Sequence, residues 1–293
     1  MQVSIIIINY NTFDITCDCI ASVIEHTKNF DYEIVLVDNA SPKDNPDDFL
    51  KRFPNITLVK NPENNGFAKG NNHGIKNAKG ELILLLNSDT ILTEDSISIA
   101  ADFISNNPKT VVTTKLVYQD GVYQHNARKF RSIRNELLDL ARPALYLLPY
   151  RTRAKLMLNQ YFNGDFSTYC DWVSGALMMF HRDALNSLPG QILDDRFFMY
   201  AEDTLWCYQF SEAGFHSYFI ADTSVIHIAN ASTEPEKQLK LLKTMLKHEL
   251  IIMAERKGKG FYYHTFEIIF TFKEMMRYYI KQIALRLFNK RIR

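Results

Sequence analysis

The sequence predicts an α/β fold in which a mixed, mostly parallel β-sheet is covered by helices. Strand and helix patterns alternate through about the first 120 residues, as in sheets built from strand–helix–strand units. The clearest strand is the uninterrupted apolar run Leu82–Leu86, which is typical of a strand buried on both faces. It ends at Asn87, Ser88 and Asp89. Because the ligand crevice of an open α/β sheet lies beyond the carboxyl ends of its strands, Asp89 is expected at the mouth of a site. The alternative is that Asp89 only begins a turn or caps the next helix.

The predicted strands are short runs of β-branched or aliphatic residues bounded by turn-forming residues. Crossovers between the parallel strands should be right-handed. The predicted strands are Val3–Ile8, Tyr32–Val37, Ile56–Val59, the run from Leu82, Trp172–Phe180, Tyr218–Ile220 and Ser224–Ile228.

The predicted helices repeat apolar residues every three or four positions, so that one face can pack on the sheet. The first carries Ile15, Cys19 and Val23 at this spacing, and Gly214 supplies a left-handed stop for a later one. Residues from about 128 to 166 interrupt the alternation and are expected to form a partly helical insertion. The predicted helices are Phe13–His26, a short one at Phe49 and Leu50, Phe67–Ala78, about Glu94–Asn106, Glu202–Ala213 and the chain from Glu234 onward.

Composition limits the classes to which the protein can belong. Of its 293 residues 46% are hydrophobic and 23% charged, as in a globular protein with a proper core. The net charge of +1 gives no global field for nucleic acid, so no nucleic-acid partner is expected. The four cysteines form no Cys-x-x-Cys pair, which favours reduced thiols over a zinc knuckle. The first residues lack a basic region, and no run of 18 apolar residues occurs, so neither a signal peptide nor a spanning helix is expected.

Four polar clusters end predicted strands or begin helices. If the strands are parallel, all four meet at one edge of the sheet, which is what a nucleotide site requires. The other interpretation is four unrelated turns, because Asn, Gly and Asp are common turn formers. The sequence lacks the glycine patterns of nicotinamide, flavin and P-loop sites. The clusters are Asn9-Tyr10-Asn11, Asp38-Asn39, Asn64–Asn71 and Asn87-Ser88-Asp89.

Four acidic or imidazole side chains are candidates for chemistry. Asp89, beside polar Asn87 and Ser88, suits a hard divalent cation that also binds the oxygens of a phosphorylated ligand. Glu202 and Asp203 lie at a predicted helix start beside aromatic residues, where they can act as a general base or simply as partners of the helix dipole. His227 ends the last predicted strand. It is a metal-ligand candidate only if it meets Asp89 in space, and is otherwise structural.

Taken together, the order of these motifs resembles family 2 glycosyltransferases with the GT-A fold, and within them the rhamnosyltransferase-like branch of bacterial surface-polysaccharide assembly. The resemblance covers roughly residues 3 to 233. Its motifs are Ser4–Asn11, Val37–Ser41, Asn64–Asn71, Asn87–Asp89, Trp172–Ala176, Glu202-Asp203 and His227.

The resemblance implies an inverting transfer of rhamnose or another hexose that depends on Mg²⁺ or Mn²⁺. The donor would be a nucleoside diphosphate sugar, such as a dTDP- or UDP-sugar, and the acceptor a hydroxyl of a glycan or of a polyprenyl-linked sugar. Such enzymes act in O-antigen or capsule assembly, in the cytoplasm and peripherally on the inner face of the bacterial membrane. Residues 1–233 would form the catalytic domain and 234–293 a pair of amphipathic, basic helices.

The resemblance also assigns roles to individual residues. Asp203 matches the catalytic base, with Glu202 beside it. Asp89 matches the last position of the metal motif, and His227 the histidine that reaches the metal. Acceptor-binding positions are Trp172, Gly175 and Ala176. Donor-binding positions are Asn9, Tyr10, Asn11, Asp38, Asn39, Asn65, Gly66, Lys69, Asn87, Ser88 and Asp89.

Some positions depart from the family pattern. Asn87 replaces the first Asp of the metal motif, and Leu205 and Gln209 stand where many relatives carry a second Asp and an Arg. Two other functions remain open. A nucleotidyltransferase on a related fold would have a Gly-rich, Arg-containing loop after the first strand, where this chain has Asn9–Thr12. A non-catalytic sugar-nucleotide-binding protein would not need both Asp89 and Asp203.

The C-terminal stretch from Glu267 to Arg293 has apolar residues at helical spacing with seven Lys or Arg among them. One interpretation is an amphipathic helix packed on the protein with a solvated basic face. The other is a helix lying on an anionic membrane surface.

Overall fold

The computed structural model describes residues 2–228 and 235–288. The chain divides into two compact units. The first contains Met1–Lys129 and Ala154–Asn230, and the second Phe130–Arg153 and Ala231–Arg293, as far as these ranges are described. The domain boundaries given above, 1–233 and 234–293, stay a prediction.

The first unit is built on a mixed sheet of ten strands among the described residues, in the order β3-β2-β1-β4-β11-β6-β12-β5. Two short strands lie beside this path, β7 on β6 and β9 on β12, while β8 pairs with β10 in a separate ladder. The strands are β1 Val3–Asn9, β2 Tyr32–Asp38, β3 Thr57–Lys60, β4 Leu82–Asn87, β5 Thr90–Leu92, β6 Thr110–Val117, β7 Tyr123–Gln124, β8 Ala127–Arg128, β9 Thr168–Cys170, β10 Trp172–Val173, β11 Leu177–His181 and β12 His216–His227.

The described helices alternate with the strands in the first unit and make up most of the second. The predicted helices in the first unit are confirmed to within two residues at each end. The helices are α1 Phe13–His26, α2 Asp47–Arg52, α3 Gly66–Asn77, α4 Ser96–Asn106, α5 Ile133–Leu140, α6 Arg142–Leu145, α7 Tyr150–Met157, α8 Arg182–Asn186, α9 Glu202–Glu212, α10 Pro235–Lys257 and α11 Phe261–Phe288.

The parallel part of the sheet is confirmed. Strands β3, β2, β1 and β4 run parallel, and Ile8 of β1 is level with Val37 of β2 and Asn87 of β4. The carboxyl ends of these strands therefore lie side by side. The other half is mixed, because β11 is antiparallel to both β4 and β6.

Three strand predictions needed correction. The run Trp172–Phe180 is two strands, since β10 pairs with β8 and the chain turns before β11. The two closing strands are one, β12, whose register shifts between Ile220 and Ser224. Strand β6 was missed: its Thr113 is buried, which the polar side chain conceals in the sequence.

Close packing of α3 explains one of its glycines. A Cβ on Gly74 would lie 2.3 Å from Cγ2 of Ile6, so the helix can approach β1 only without a side chain there. On the sheet, a buried aliphatic core includes Ile5, Ile20 and Leu84. Burying such side chains contributes about 1.5–3 kcal/mol each relative to exposure. The four cysteines are free and buried.

In the second unit, α11 packs one face through apolar residues and one buried charge. Phe266 and Phe270 are buried, and Lys273 is only 1% exposed. The ammonium of Lys273 lies 2.9 Å from Asp139 Oδ2, and it also contacts Glu136 of α5. A buried charge costs several kcal/mol unless it is paired, and these acids pair it. Among the described helices, none is both long and apolar enough to cross a membrane.

Candidate functional site

The loop that follows β1 is held to the end of β2 by buried polar groups. Asn9 donates through Nδ2 to Asp38 Oδ1 at 2.7 Å, and its Oδ1 accepts from the hydroxyls of Thr12 and Thr16. Asp38 also accepts from the backbone N–H and hydroxyl of Ser41. Both Asn9 and Asp38 are buried. The predicted convergence of the first two polar clusters therefore exists. Ser41, which belongs to the Val37–Ser41 motif but was not predicted as a site residue, joins them.

Asn39 and Gly66 link these loops to the start of α3. Asn39 donates through Nδ2 to the carbonyl of Gly66 at 3.0 Å and accepts from Asn61 at 2.6 Å. A Cβ on Gly66, which has φ +83°, would lie 2.2 Å from the carbonyl oxygen of Phe198. Only glycine fits there. The polar cluster Asn64–Asn71 thus lies where the segment that precedes α9, at Phe198, contacts the beginning of α3.

Two predicted donor residues at the beginning of α3 line a separate cavity. Asn65 and Lys69 line a cavity of about 700 Å³ together with Lys76 and Ile192. Neither Asp38 nor Asp89 lines it. The roles of Asn65 and Lys69 in donor binding stay predictions.

Several residues in the loops around these clusters have left-handed backbone conformations without being glycine. Asn11 has φ 58°, Ala40 φ 57°, Tyr200 φ 75° and Ala201 φ 69°. Each such conformation costs on the order of 1–3 kcal/mol and persists only where its surroundings impose it. Tyr10, between Asn9 and Asn11, is left exposed and presents its ring to solvent. Two of these residues thus follow the carboxyl ends of β1 and β2, and the other two precede α9.

Asp89 and His227 come together at the end of β4. Asp89 Oδ1 lies 3.2 Å from His227 Nε2, and Asn87 Nδ2 lies 3.3 Å from the same nitrogen. Pairing of β12 with β5 sets this geometry, since the backbone N–H of Ile228 donates to the carbonyl of Asp89. The condition set for His227, that it meet Asp89 in space, is satisfied.

The donor atoms in this pair suit a divalent ion. The ligands would be a carboxylate oxygen, an imidazole nitrogen and the oxygen of the Asn87 amide, which can turn inward. Mn²⁺ binds all three kinds of ligand, whereas Mg²⁺ prefers the two oxygens. Within residues 2–228 and 235–288 there is no group of three or more His, Cys, Asp or Glu side chains placed to hold a metal. An ion here would therefore need further oxygens from a bound ligand.

Asp203 lies at the start of α9 against the turn between β10 and β11. Its Oδ1 accepts from the backbone N–H of Thr204 at 2.8 Å, and its Oδ2 accepts from Gly175 N–H at 3.3 Å. The next residue, Ala176, accepts through its carbonyl from Asn87 N–H at 2.9 Å. The segment Gly175–Ala176 thus connects Asp203 to the end of β4, which Asp89 follows. These two predicted acceptor residues therefore lie between the two aspartates.

The remaining predicted acceptor residue, Trp172, is partly exposed on β10. The guanidinium of Arg128 lies over its ring, 5.2 Å from the centroid. This cation–π contact fixes the indole but leaves its acceptor role a prediction.

Glu202 and Asp203 share an environment that favours protonation. Burial, together with the negative charge of Asp203, raises the pKa of Glu202 to about 8. Burial also raises the pKa of Asp203, although backbone N–H groups of Gly175 and Thr204 and the charge of Arg128 act against it. Glu202 Oε2 has no hydrogen-bond partner among the described residues. Two adjacent carboxyl groups that hold a proton near neutral pH are typical of acid–base sites.

This environment should make stability depend on pH. Between the ordinary pKa of 4.5 and the folded value of about 8, folded Glu202 binds a proton that the unfolded chain releases. The free energy of unfolding should therefore fall as pH rises through this window. In Glu202→Gln that fall should shrink, with a relative gain of about 1–3 kcal/mol at the alkaline end. Urea unfolding of both proteins at about pH 5.5 and about pH 8.5 measures it. Parallel pH dependence in the two proteins would contradict the assignment.

Comparison with known sequences identifies the family. The sequence profile of Glycosyl transferase family 2 matches residues 4–185, which include the four polar clusters and the Trp172–Ala176 segment but not Asp203 or His227. The matched range is more than half of the chain.

Individual relatives match at lower coverage. Poly(ribitol-phosphate) beta-glucosyltransferase of Bacillus spizizenii is 31% identical over 121 residues, which are 40% of this chain and 19% of that protein. N-acetylglucosaminyl-diphospho-decaprenol L-rhamnosyltransferase of Mycobacterium tuberculosis is 25% identical over 214 residues, 68% of this chain and 67% of that protein. The chain thus spans about a fifth of the first relative's length.

Solved structures share the fold. GalNAc-T7 with UDP, GalNAc and Mn²⁺ matches with a TM-score of 0.62 and 16% identity, over 90% of this chain and 50% of that one. The mannosyltransferase PcManGT of Pyrobaculum calidifontis, in complex with GDP-Man and Mn²⁺, matches with a TM-score of 0.61 and 16% identity, over 97% and 75%. At this identity the likeness establishes the GT-A fold alone. From the profile match, the chain belongs to glycosyl transferase family 2.

Proposed function

We propose that this protein is an inverting glycosyltransferase that moves a hexose from a nucleoside diphosphate to an acceptor hydroxyl. The observation that carries the proposal is the short path between two acidic side chains. Asp203 is bound by Gly175 N–H, and Ala176, the next residue, is bound by Asn87 N–H two residues from Asp89. The proposed base and the proposed metal-binding carboxylate are thereby connected through one peptide segment.

In the proposed reaction Asp203 accepts the proton of the acceptor hydroxyl. The acceptor oxygen forms a bond to the anomeric carbon as the bond from that carbon to the diphosphate oxygen breaks. The nucleoside diphosphate leaves with the electron pair, and the single displacement inverts the configuration. Removal of a proton by a positioned base typically contributes about 10²–10⁴-fold to the rate.

Asp89, His227 and the Asn87 amide oxygen would hold the divalent ion. When bound, the ion supplies positive charge that offsets the charge developing on the leaving diphosphate. Mg²⁺ and Mn²⁺ both suit the carboxylate, and the imidazole favours Mn²⁺. The Mn²⁺ in both GT-A structures described above supports this choice.

The donor and acceptor are proposed more narrowly. The exposed ring of Tyr10 can stack on a nucleoside base, and Asn11 lies beside it. The mycobacterial relative is named as a rhamnosyltransferase acting on a decaprenol-linked sugar. This supports rhamnose or another hexose on dTDP or UDP as donor, and a glycan or polyprenyl-linked acceptor in surface-polysaccharide assembly.

A panel of nucleotide sugars tests the proposal. The full chain should release nucleoside diphosphate from one donor faster when a sugar-bearing acceptor lipid is added. Release of pyrophosphate from a nucleoside triphosphate and a sugar phosphate would instead identify a nucleotidyltransferase. Tight binding of a nucleotide sugar without turnover of any donor–acceptor pair would identify a non-catalytic binding protein.

We also propose that the second unit binds the surface of an anionic membrane through α11. The helix exposes an apolar stripe at the spacing of one helical face: Phe261 is 89% exposed, Ile268 70% and Phe272 66%, and Tyr279 and Ile283 continue it. The opposite face packs inside the unit through Phe266 and Phe270. The packed helix and the membrane helix are thus compatible interpretations of two faces.

The basic residues divide in the same way. Lys273 and Arg277 are both paired with Asp139, and Lys273 is buried as well. Lys281 is exposed. Four more of the seven basic residues complete the tail. The side chain of Arg286 is not described, and Lys290, Arg291 and Arg293 lie outside the described residues.

Vesicle flotation tests whether the exposed face of α11 binds a membrane. A chain ending near Gly260 is one arm, but it also loses the buried Phe266, so Ile268→Gln combined with Phe272→Gln is the sharper variant. Two buried apolar side chains are worth roughly 1.5–3 kcal/mol each, so partition onto phosphatidylglycerol vesicles should fall at least about tenfold. The matched control is Leu147→Gln, at a position 87% exposed in the same unit. Equal flotation of all variants, or of none, would leave only the packed helix.

A further inference from the structure

Gln124 contacts His227 twice, and the two contacts together determine the orientation of the Gln124 side-chain amide. Its Nε2 lies 2.6 Å from the backbone carbonyl oxygen of His227, and its Oε1 lies 2.7 Å from His227 Nδ1. A carbonyl oxygen can only accept a hydrogen bond. The end of the amide that faces the carbonyl must therefore be the nitrogen, and the oxygen must face the imidazole.

This orientation selects one tautomer of His227. Because Oε1 of Gln124 can only accept, Nδ1 of His227 must carry the proton in that hydrogen bond. In the neutral ring, Nε2 then has a free lone pair. On its other side, the Asn87 amide nitrogen faces Nε2 at 3.3 Å and can only donate to it. The Gln124 amide, whose orientation the carbonyl fixes, thus specifies the tautomer with Nδ1 protonated and Nε2 as acceptor. The Asn87 contact fits this tautomer and is given up when that amide turns its oxygen toward an ion.

The selected nitrogen is the one that faces Asp89. Nε2 and Asp89 Oδ1 are 3.2 Å apart, so a lone pair and a carboxylate oxygen converge on one small region. Two electron-rich atoms at this distance attract a cation. In metal sites, a ligating histidine usually donates its other ring N–H to an oxygen that fixes its tautomer and ring plane.

We propose that Gln124 is a positioning residue that holds His227 with Nδ1 protonated and Nε2 aimed at the ion bound by Asp89. The inference rests on the metal role proposed above for Asp89 and His227. Short strand β7 brings Gln124 into place by pairing with β6, where Gln124 lies opposite Leu116. No motif contains Gln124, because its role comes from the hairpin between residues 117 and 123.

The first test measures the tautomer directly in the metal-free full chain. Imidazole ¹⁵N spectra, recorded at a pH where the ring is neutral and with the His227 signal assigned by its loss in His227→Gln, should show Nδ1 protonated and Nε2 bare. Protonation at Nε2 alone in the wild-type chain would overturn the proposal. This measurement needs no Gln124 variant, so it decides the question even if Gln124→Leu does not fold.

The second test measures Mn²⁺ affinity by electron paramagnetic resonance, for Mn²⁺ alone and with UDP or dTDP. Gln124→Leu should weaken Mn²⁺ binding about 10–100-fold, the usual effect of removing a partner of a ligating histidine. The control is Asp120→Ala, which removes the hydrogen bond from Val122 N–H in the same hairpin but spares Gln124. Wild-type affinity in Gln124→Leu, or an equal loss in the control, would overturn the proposal.

The proposed transferase function is tested separately. A wild-type chain that binds no Mn²⁺ under these conditions overturns the metal role and this inference with it. Continued release of nucleoside diphosphate by that same chain would keep the glycosyltransferase function.

Discussion

Replacing Asp203 with asparagine should reduce turnover by at least about two orders of magnitude while the protein stays folded and binds the donor. Asparagine keeps one oxygen, which can still accept from the backbone N–H of Thr204 at 2.8 Å, while the longer hydrogen bond from Gly175 N–H at 3.3 Å is lost. The start of α9 should therefore keep its local structure. Asparagine cannot accept the proton of an acceptor hydroxyl. Release of nucleoside diphosphate measures the loss, and donor affinity measured by calorimetry should change little.

A matched variant separates catalysis from the helix dipole. Asp14 lies in the first turn of α1 as Asp203 lies in the first turn of α9. If Asp203 serves only the dipole, Asp203→Asn and Asp14→Asn should both change stability by about 0.3–1 kcal/mol and leave turnover alone. Near-normal turnover of the purified Asp203→Asn variant would show that Asp203 is not the base.

The pH dependence gives a second measurement of the same role. The pKa of Asp203 is raised by burial, and the base is inactive when protonated. In the wild type kcat/KM should therefore fall as pH drops through the raised pKa of the Glu202–Asp203 pair. In Asp203→Asn the residual activity should lose this acidic limb.

The sheet and its helices could be predicted where burial leaves a pattern in the sequence. The uninterrupted apolar run of β4 and the 3.6-residue spacing of α1 each match the structure. Strand β6 could not be found this way, because Thr113 is buried through a hydrogen bond from its hydroxyl to the carbonyl of Leu177. Such a partner is known only once the strands are paired.

The convergence of the polar clusters could be predicted from the parallel strands. Which residues in the clusters hold the loops together could not. Asn9 and Asn39 were predicted to bind the donor, and the structure uses their amides to hold the loops together. Whether they also touch a ligand stays a prediction. Gln124 was not noticed, because nothing near it in sequence marks it as a partner of His227.

The tail shows the same limit for charged residues. Basic residues at helical spacing indicate a solvated or membrane-facing stripe, and Lys273 belongs to that series. In the structure the ammonium of Lys273 is buried among acidic side chains of α5. One of them, Asp139, is 134 residues away in the sequence. Charge pairing at that separation has no local signature.

Removing the divalent ion should reduce turnover about as strongly as the Asp203→Asn substitution. Excess chelator, or Asp89→Asn, should lower turnover by about 10²–10³-fold, because offsetting charge on a leaving group is worth several kcal/mol. Asparagine keeps the shape of the side chain but removes the negative charge that attracts the ion. Release of nucleoside diphosphate and Mn²⁺ binding should therefore be lost together, and added Mn²⁺ should restore the chelated wild type but not Asp89→Asn.

Asp102→Asn is the matched control, since Asp102 is an exposed aspartate on α4 of the same unit and its loss should change neither measurement. His227→Gln adds a second arm: it should weaken Mn²⁺ binding less than Asp89→Asn, because the carboxylate supplies the charge and the imidazole only a neutral donor. Full turnover in excess chelator would exclude the ion from the reaction and, with it, the metal roles of Asp89 and His227. Asp203 would then remain as the base of a transfer in which other groups stabilise the departing diphosphate.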